Sequence, residues 1–316
     1  MHPTVAGRLR PMMTAQKTVA VVGGSGFVGR HLLARLVNAG HRVTALARSS
    51  TAEFGLRQIA GVRVVRVDLE SDEALSVCFA GQTVVINLVG ILHESREIDF
   101  DAIHVAFPRR LVHLCQVAGV TQYLHMSALN ADAAKGPSRY LKSRGEGEDS
   151  VHHACGGVTV TSFRPSIIFG PGDNFFGVFD RLLDWMPVFP VVCPQTRFAP
   201  VCVDDVVEAF YQVLERGADF NGQRLNFCGP QIYTFKELVQ FVARVTGRRR
   251  LVLGLPDSLS RLQALVMERL PGKLFTRDNY RSMQIDSVCA RNDFAALGIT
   301  PKALEDVMTP LLARQR

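Results

Sequence analysis

A glycine-rich turn, Gly23-Gly24-Ser25-Gly26-Phe27-Val28-Gly29, constrains this chain more than any other stretch of it. It follows Thr18–Val22, a short apolar and β-branched run, and it precedes residues 28–39, whose apolar positions recur at helical spacing until Gly40. Glycine lets the backbone turn sharply from strand into helix and lets another group come close against it. The amides that open the helix then face outward with the helix dipole behind them, which makes the turn a cradle for a diphosphate. A GxxGxxG pattern in this setting predicts a bound nicotinamide dinucleotide, held by Gly23, Ser25, Gly26, Phe27, Val28 and Gly29.

The alternation continues beyond the turn. Residues 42–47, 62–67, 83–87, 122–126 and 158–163 read as buried strands, and helical stretches separate most of them. Strands alternating with helices imply parallel pairing through right-handed crossovers, so the expected fold class is α/β, a Rossmann-type doubly wound parallel sheet. After Arg164 the rhythm breaks into Pro/Gly-rich turns, then helices near 203–216 and 235–246 with short strands between. The expected organisation is an N-terminal extension over 1–17, a dinucleotide-binding domain over 18–164, and a smaller C-terminal substrate lobe over 165–316.

Several side chains then fall where chemistry is expected, at the carboxyl ends of the strands. Arg48 ends the second strand, where NAD-specific folds carry a carboxylate for the ribose hydroxyls. Its forked guanidinium suits a 2′-phosphate instead, which favours NADP(H), with NAD(H) as the alternative. Asp68 ends the third strand, either to accept from the adenine amino group or to cap the following turn. Asn87-Leu88-Val89-Gly90 ends the fourth with small and apolar residues that let the backbone pass close to the cofactor riboses. Ser127 follows the fifth strand, and Tyr140 and Arg144 lie one helical turn apart, giving a candidate catalytic trio. A phenol titrates near pH ~10, so it needs a neighbouring positive charge to act as acid or base near neutrality.

The 316 residues are 47% hydrophobic and 21% charged, as expected of an ordered globular chain. The net charge of +7 is scattered apart from Arg248-Arg249-Arg250, and no basic groove with interleaved aromatics accompanies it, which sets nucleic acid aside as a partner. Phosphate-bearing ligands and an anionic membrane surface stay compatible with it. The seven cysteines show neither CxxC pairs nor metal-ligand spacing, so reduced, mostly buried thiols and no metal are expected. His152 and His153 are adjacent and read as surface residues. Residues 1–17 lack an apolar signal core, and Met12 and Met13 are alternative starts that would make the first dozen residues a disordered extension. No run of about 18 apolar residues follows, so a cytoplasmic chain without spanning helices is expected. Residues 259–275 mix apolar side chains with Arg261, Arg269 and Lys273. A buried lid helix is the favoured reading, and an interfacial helix is the alternative.

With these motifs in hand, the chain resembles the short-chain dehydrogenase/reductase superfamily in its extended or atypical branch. The resemblance spans most of the sequence from Thr18 onward. It rests on the glycine turn, Asp68-Leu69, Asn87-Leu88-Val89-Gly90, Ser127, Tyr140, Arg164-Pro165-Ser166-Ile167-Ile168-Phe169-Gly170-Pro171-Gly172-Asp173 and Val203-Asp204-Asp205-Val206, all in that superfamily's order. It adds Leu69, Leu88, Val89, Gly90, Pro165 and Ile167 to the residues expected around the cofactor.

Val84-Val85-Ile86-Asn87-Leu88-Val89-Gly90, Ser138-Arg139-Tyr140-Leu141-Lys142-Ser143-Arg144 and Thr276-Arg277-Asp278-Asn279 are similar to the nucleotide-binding accessory subunits of respiratory complex I and their free-standing bacterial relatives. That likeness implies NADPH binding in a role of assembly and stability rather than electron flow. It also implies peripheral association with a respiratory complex or the inner face of a membrane.

Two positions depart from the superfamily pattern. The lysine of YxxxK is Arg144, which keeps a positive charge and can hold ribose hydroxyls but cannot relay a proton by losing one. In extended members the catalytic hydroxyl often lies two residues beyond the first serine after this strand, which here is Leu129, and Ser127 is then structural. Two functions are therefore expected: an NADP-dependent oxidoreductase or epimerase acting on a hydroxyl or carbonyl of a small-molecule substrate, or a catalytically inactive dinucleotide-binding scaffold or sensor.

Overall fold

A computed structural model describes residues 15–95, 97–269 and 275–313. The first half alternates as the sequence predicts: β1 (Thr18–Val22), α1 (Phe27–Asn38), β2 (Arg42–Ala47), α2 (Ser50–Arg57), β3 (Val62–Arg66), α3 (Asp72–Phe79), β4 (Val84–Asn87), α4 (Phe107–Val117), β5 (Gln122–Met126), α5 (Arg139–His153) and β6 (Thr159–Pro165). A π-helical turn, Asp101–Ala106, leads into α4. β1 shows why these runs become central strands. Val19 and Val21 enter the core on one side of the sheet, Ala20 and Val22 the core on the other, and all four are buried. Both faces of the strand are apolar because both are covered by helices.

The second half supplies β7 (Ile168–Phe169), α6 (Phe175–Trp185), β8 (Val188–Val191), β9 (Arg197–Phe198), β10 (Val201–Cys202), α7 (Val203–Glu215), β11 (Arg224–Phe227), β12 (Tyr233–Thr234), α8 (Phe235–Val245), β13 (Leu251–Gly254), α9 (Asp257–Met267), α10 (Arg277–Ser282) and α11 (Leu304–Ala313). The fold is α/β with a seven-stranded parallel sheet in the order β11-β6-β5-β4-β1-β2-β3. Strand order reverses between β1 and β4, the switch point at which an open α/β sheet forms its ligand crevice.

The chain leaves this layer after β6 and returns to it. β11 extends the sheet beyond β6, and Val206, Phe210 and Val213 of α7 share a core with Leu32, Leu33 and Leu36 of α1. What remains forms a second core rich in phenylalanine, where Phe175, Phe176, Phe179 and Phe235 meet largely edge to face. Its three sheets have two strands each, β10 with β7, β12 with β9, and β13 with β8. Among the described residues no helix is long and apolar enough to cross a membrane.

Three expectations need correction. Cys228 and Cys289 form a disulfide that ties the loop after β11 to the segment beyond α10, and Leu129 packs in the same small cluster. Their separation of 61 residues left no spacing signal. Of the remaining cysteines, Cys115 and Cys202 are buried, while Cys78, Cys155 and Cys193 are half-buried. His152 is not a surface residue: its ring lies against β6, 3.0 Å from the Ser162 hydroxyl, and burial pushes it down to about 4. His153 is exposed.

The third correction concerns residues 259–275. Their helix, α9, buries only Ser260 and Ala264 and leaves Leu259, Leu262 and Val266 exposed. It is no buried lid. Lys273 of this stretch lies outside the described residues, as do Met12, Met13, Arg8 and Arg10.

Candidate functional site

The glycine turn closes as the sequence requires. Gly23 has φ +84°, and a Cβ there would come within 3.0 Å of the Leu88 carbonyl carbon and the Val89 nitrogen at the end of β4. A Cβ on Gly29 would lie 2.6 Å from the Gly23 oxygen and from the Cα and oxygen of Gly24, so this contact between helix and turn excludes any side chain. Gly26 begins α1 with no side-chain cap, and the first turn carries no acidic residue. Helix amides and dipole are thus directed at an exposed surface to which the first turn contributes no carboxylate, the arrangement that favours an anion. Ser25, Gly26, Phe27, Arg30 and His31 line a cavity of about 300 Å³ there, closed from the second lobe by Pro171, Gly172 and Asn174. His31 Nε2 meets the Pro171 carbonyl at 3.0 Å and fixes that closure.

Arg30, which the sequence reading missed, donates from Nε to the Ser25 carbonyl at 3.1 Å and carries its guanidinium across to α2. There its Nη2 lies 2.7 Å from where a Cβ on Gly55 would stand. Arg48 is exposed at the end of β2 with no carboxylate partner among the described residues, and the following Ser49 caps α2. One guanidinium thus follows β2 and another reaches α2 at Gly55, and no acidic side chain ends β2. The place of Arg30 directly after the third glycine was the available signal.

Asp68 accepts from the Glu70 amide at 2.9 Å, which is the turn-capping role; its carboxylate is otherwise exposed. The Leu69 carbonyl accepts from Arg110. Leu88 and Val89 run beside Gly23, and Asn87 Oδ1 fixes their turn by accepting from the Val89 amide at 3.0 Å. Pro165 is buried, with its carbonyl accepting from the Leu129 amide, and half-buried Ile167 accepts from the Val201 amide of β10.

Tyr140 and Arg144 share one face of α5, while Lys142 is exposed on another. The Arg144 Cζ lies 5.5 Å from the Tyr140 ring centroid. Its Nη1 donates to the carbonyls of Met126 at 3.2 Å and Val89 at 3.4 Å, tying together the ends of β5 and β4. Its Nη2 lies 1.8 Å from the Cβ that Gly90 lacks, so Gly90 is the residue that admits Arg144. Ser127 is buried just after β5, and its hydroxyl has no hydrogen-bond partner among the described residues. Among the described residues no hydrogen bond joins Ser127 to Tyr140.

The sequence reading missed two further residues. His104, in the π-helical turn, packs edge-on against Tyr140 with ring centroids 5.6 Å apart. Its Nε2 accepts from the Ile91 amide at 3.1 Å, which leaves Nδ1 to donate to Ser143 Oγ at 2.9 Å. Burial, with the Arg144 charge beside it, pushes His104 down to about 2, so the ring is neutral. The π-turn presses on α5 so closely that a Cβ on Gly147 would lie 1.6 Å from the His104 carbonyl oxygen. Asp278 of α10 accepts from the amides of Arg139 and Tyr140 at 2.8 and 3.0 Å, capping the helix that carries Tyr140 from the second lobe. The Thr276-Arg277-Asp278-Asn279 motif is thereby accounted for: Thr276 and Asn279 form a capping box that holds α10 while Asp278 reaches α5.

Residues 19–228, well over half of the chain, match the family model described as the NAD dependent epimerase/dehydratase family. The chain belongs to that family. The family dependence and the glycine cradle agree in a nicotinamide dinucleotide. Among curated members, the mitochondrial NADH dehydrogenase (ubiquinone) 1 alpha subcomplex subunit 9 of Mus musculus is 28% identical over 313 residues, covering 94% of this chain and 80% of that one. A ceramide reductase of Caulobacter vibrioides is 30% identical over 249 residues, covering 77% of this chain and 75% of its own. Among solved structures, the dTDP-glucose 4,6-dehydratase DesIV of Streptomyces venezuelae, with NAD and TYD bound, superposes with a TM-score of 0.75 at 19% identity. It covers 95% of this chain and 97% of its own, and the likeness is one of fold.

Proposed function

We propose that this family member binds NADP(H) and serves as an oxidoreductase at a hydroxyl or carbonyl, with Tyr140 as its acid or base. The observation that carries the reading is the glycine cradle: an uncapped helix start, free of carboxylates, whose shape a Cβ at Gly23 or Gly29 would destroy. Arg30 and Arg48 support the phosphorylated cofactor, because Arg48 follows β2 with no acid ending that strand, Arg30 reaches α2 at Gly55, and the nearby Glu53 is already paired with Arg57. When bound, the dinucleotide supplies or accepts the hydride. Tyr140 then gives a proton to the carbonyl oxygen or takes one from the hydroxyl, Arg144 holds ribose hydroxyls beside it, and the buried Ser127 hydroxyl supplies a donor. The relative named ceramide reductase supports a carbonyl substrate carrying apolar chains.

Calorimetric titration tests the cofactor. NADPH is expected to bind more tightly than NADH, and Arg48→Ala or Arg30→Ala to lose about tenfold or more for NADPH alone, the worth of a charge-assisted hydrogen bond. Equal losses for both nucleotides would remove the 2′-phosphate assignment.

A second reading is a dinucleotide-binding scaffold for a respiratory complex. It is favoured by Arg144, which two main-chain carbonyls engage and which cannot release a proton, and by the relative named as an NADH dehydrogenase subunit. Tyr140→Phe separates the two. Substrate-dependent NADPH oxidation is expected to fall about 100-fold or more if the tyrosine is the acid. A protein that binds NADPH yet oxidises none against a panel of long-chain and sugar carbonyls is the scaffold.

A further inference from the structure

We propose that the second lobe docks on an anionic lipid bilayer through the outer faces of the β8–β13 ribbon and of α9. The ribbon has two apolar faces and only one is covered. Phe189, Val191 and Val252 point into the phenylalanine-rich core, while Val188, Leu251 and Leu253 are exposed, with Val188 and Leu251 paired in register. Trp185, 88% exposed, ends α6 just before the ribbon, and the Leu251 amide donates to the carbonyl of the neighbouring Pro187. A half-buried ribbon ordinarily alternates apolar inside with polar outside, so this alternation is missing its solvent face.

The helix continues the pattern. Only Leu255 and Pro256 separate β13 from α9, and Leu259, Leu262 and Val266 recur at i, i+3 and i+7 along its exposed side. The buried Ser260 and Ala264 face inward, with Ser260 Oγ accepting from the Cys193 amide. An apolar stripe turned to solvent on an 11-residue helix is the geometry of an interfacial element.

Charge selects the occupant. From Arg244 to Arg269 six arginines, Arg244, Arg248, Arg249, Arg250, Arg261 and Arg269, accompany only Asp257 and Glu268. Among the described residues Arg244, Arg249 and Arg269, together with exposed Arg181 of α6, have no carboxylate in ion-pair reach. Exposed apolar side chains accompanied along the chain by unneutralised arginines and a tryptophan match acyl chains lying below anionic headgroups, with the arginine stems free to reach the headgroup level. The bilayer-facing helix is also joined to the site. Arg261 Nε donates to the Tyr280 hydroxyl of α10 at 2.9 Å, and Asp278 of that same helix caps α5 at Tyr140.

This inference stands apart from the cofactor reading, and its test needs no nucleotide. The full chain is sedimented with phosphatidylcholine vesicles, and with vesicles in which about 30% of the lipid is phosphatidylglycerol, at about 0.1 M salt. Wild type is expected to sediment with the anionic vesicles only. Leu259→Glu/Leu262→Glu/Val266→Glu is expected to lose on the order of 100-fold in partition, and Arg244→Glu/Arg249→Glu about tenfold or more. Both variants should keep the wild-type thermal midpoint and circular dichroism spectrum, which shows the fold intact. Three outcomes would overturn the proposal: wild type left in the supernatant with anionic vesicles, equal sedimentation of wild type and the apolar-face variant, or a dimer in solution that this variant dissociates, which would make a second copy the occupant.

Discussion

Gly29→Ala is expected to weaken nucleotide binding at least about 100-fold. Its Cβ would stand 2.6 Å from three backbone atoms of the glycine turn, Gly23 O and Gly24 Cα and O, none of which belongs to a flexible side chain. Turn and helix must move apart, and the amides that open α1 lose their common focus. Hydrogen bonds to a charged group contribute about 1.5–3 kcal/mol each, so losing two of them gives the stated factor or more. Overpacking also costs about 1–3 kcal/mol of stability, so binding must be compared at a temperature where the variant is folded. Gly40→Ala is the control. It occupies a left-handed turn, φ +87°, and a Cβ there meets nothing within 4 Å. It should lose stability by about 1–2 kcal/mol and leave NADPH affinity untouched. Calorimetric Kd values for Gly29→Ala within threefold of wild type would remove the cradle as the binding site.

The sequence disclosed what is local and periodic. β1, the glycine turn and α1 are contiguous, so their geometry follows from residue type and spacing, and the same is true of Tyr140 and Arg144 one helical turn apart. What it concealed depends on partners far along the chain. The π-helical turn at Asp101–Ala106 forms where Gly147 of α5 leaves room for the His104 carbonyl, and nothing in residues 101–106 announces this. Asp278 caps a helix whose first residues lie 139 and 138 positions away.

Cys228 and Cys289 meet because β11 and the segment after α10 converge near Leu129. The case of α9 shows a limit of periodicity itself. Leu259, Leu262 and Val266 share one face by spacing, but spacing cannot say whether protein covers that face, and here the small Ser260 and Ala264 are the ones inside.

The buried polar layer between the sheet and α5 should make the protein sensitive to acid well above the carboxylate range. His104 and His125 are buried, and both ring nitrogens of His125 lack hydrogen-bond partners among the described residues. Burial first, then the Arg144 charge, pushes His104 down to about 2 and His125 to about 3, from 6.5. Because the folded value lies below the unfolded one, the unfolded chain takes up protons first as pH falls. Stability from these rings is therefore complete above about pH 6.5 and is lost progressively toward pH 3.

Between pH 7 and pH 5 the loss is about 2 kcal/mol for each ring, about 4 kcal/mol together, a large part of the roughly 5–15 kcal/mol that holds an ordinary domain folded. His41 and His152, also pushed down by burial, act in the same sense, whereas the raised carboxyls of Glu148, Asp173 and Asp205 oppose it. The deciding comparison is therefore between wild type and His104→Asn/His125→Asn. Urea midpoints measured at pH 7, 6 and 5 should fall steeply for the former and about 4 kcal/mol less for the latter. Parallel pH curves for the two proteins would show that these rings take up protons as readily in the folded state as in the unfolded one, and the downward shift of His104 beside Tyr140 would fall with them.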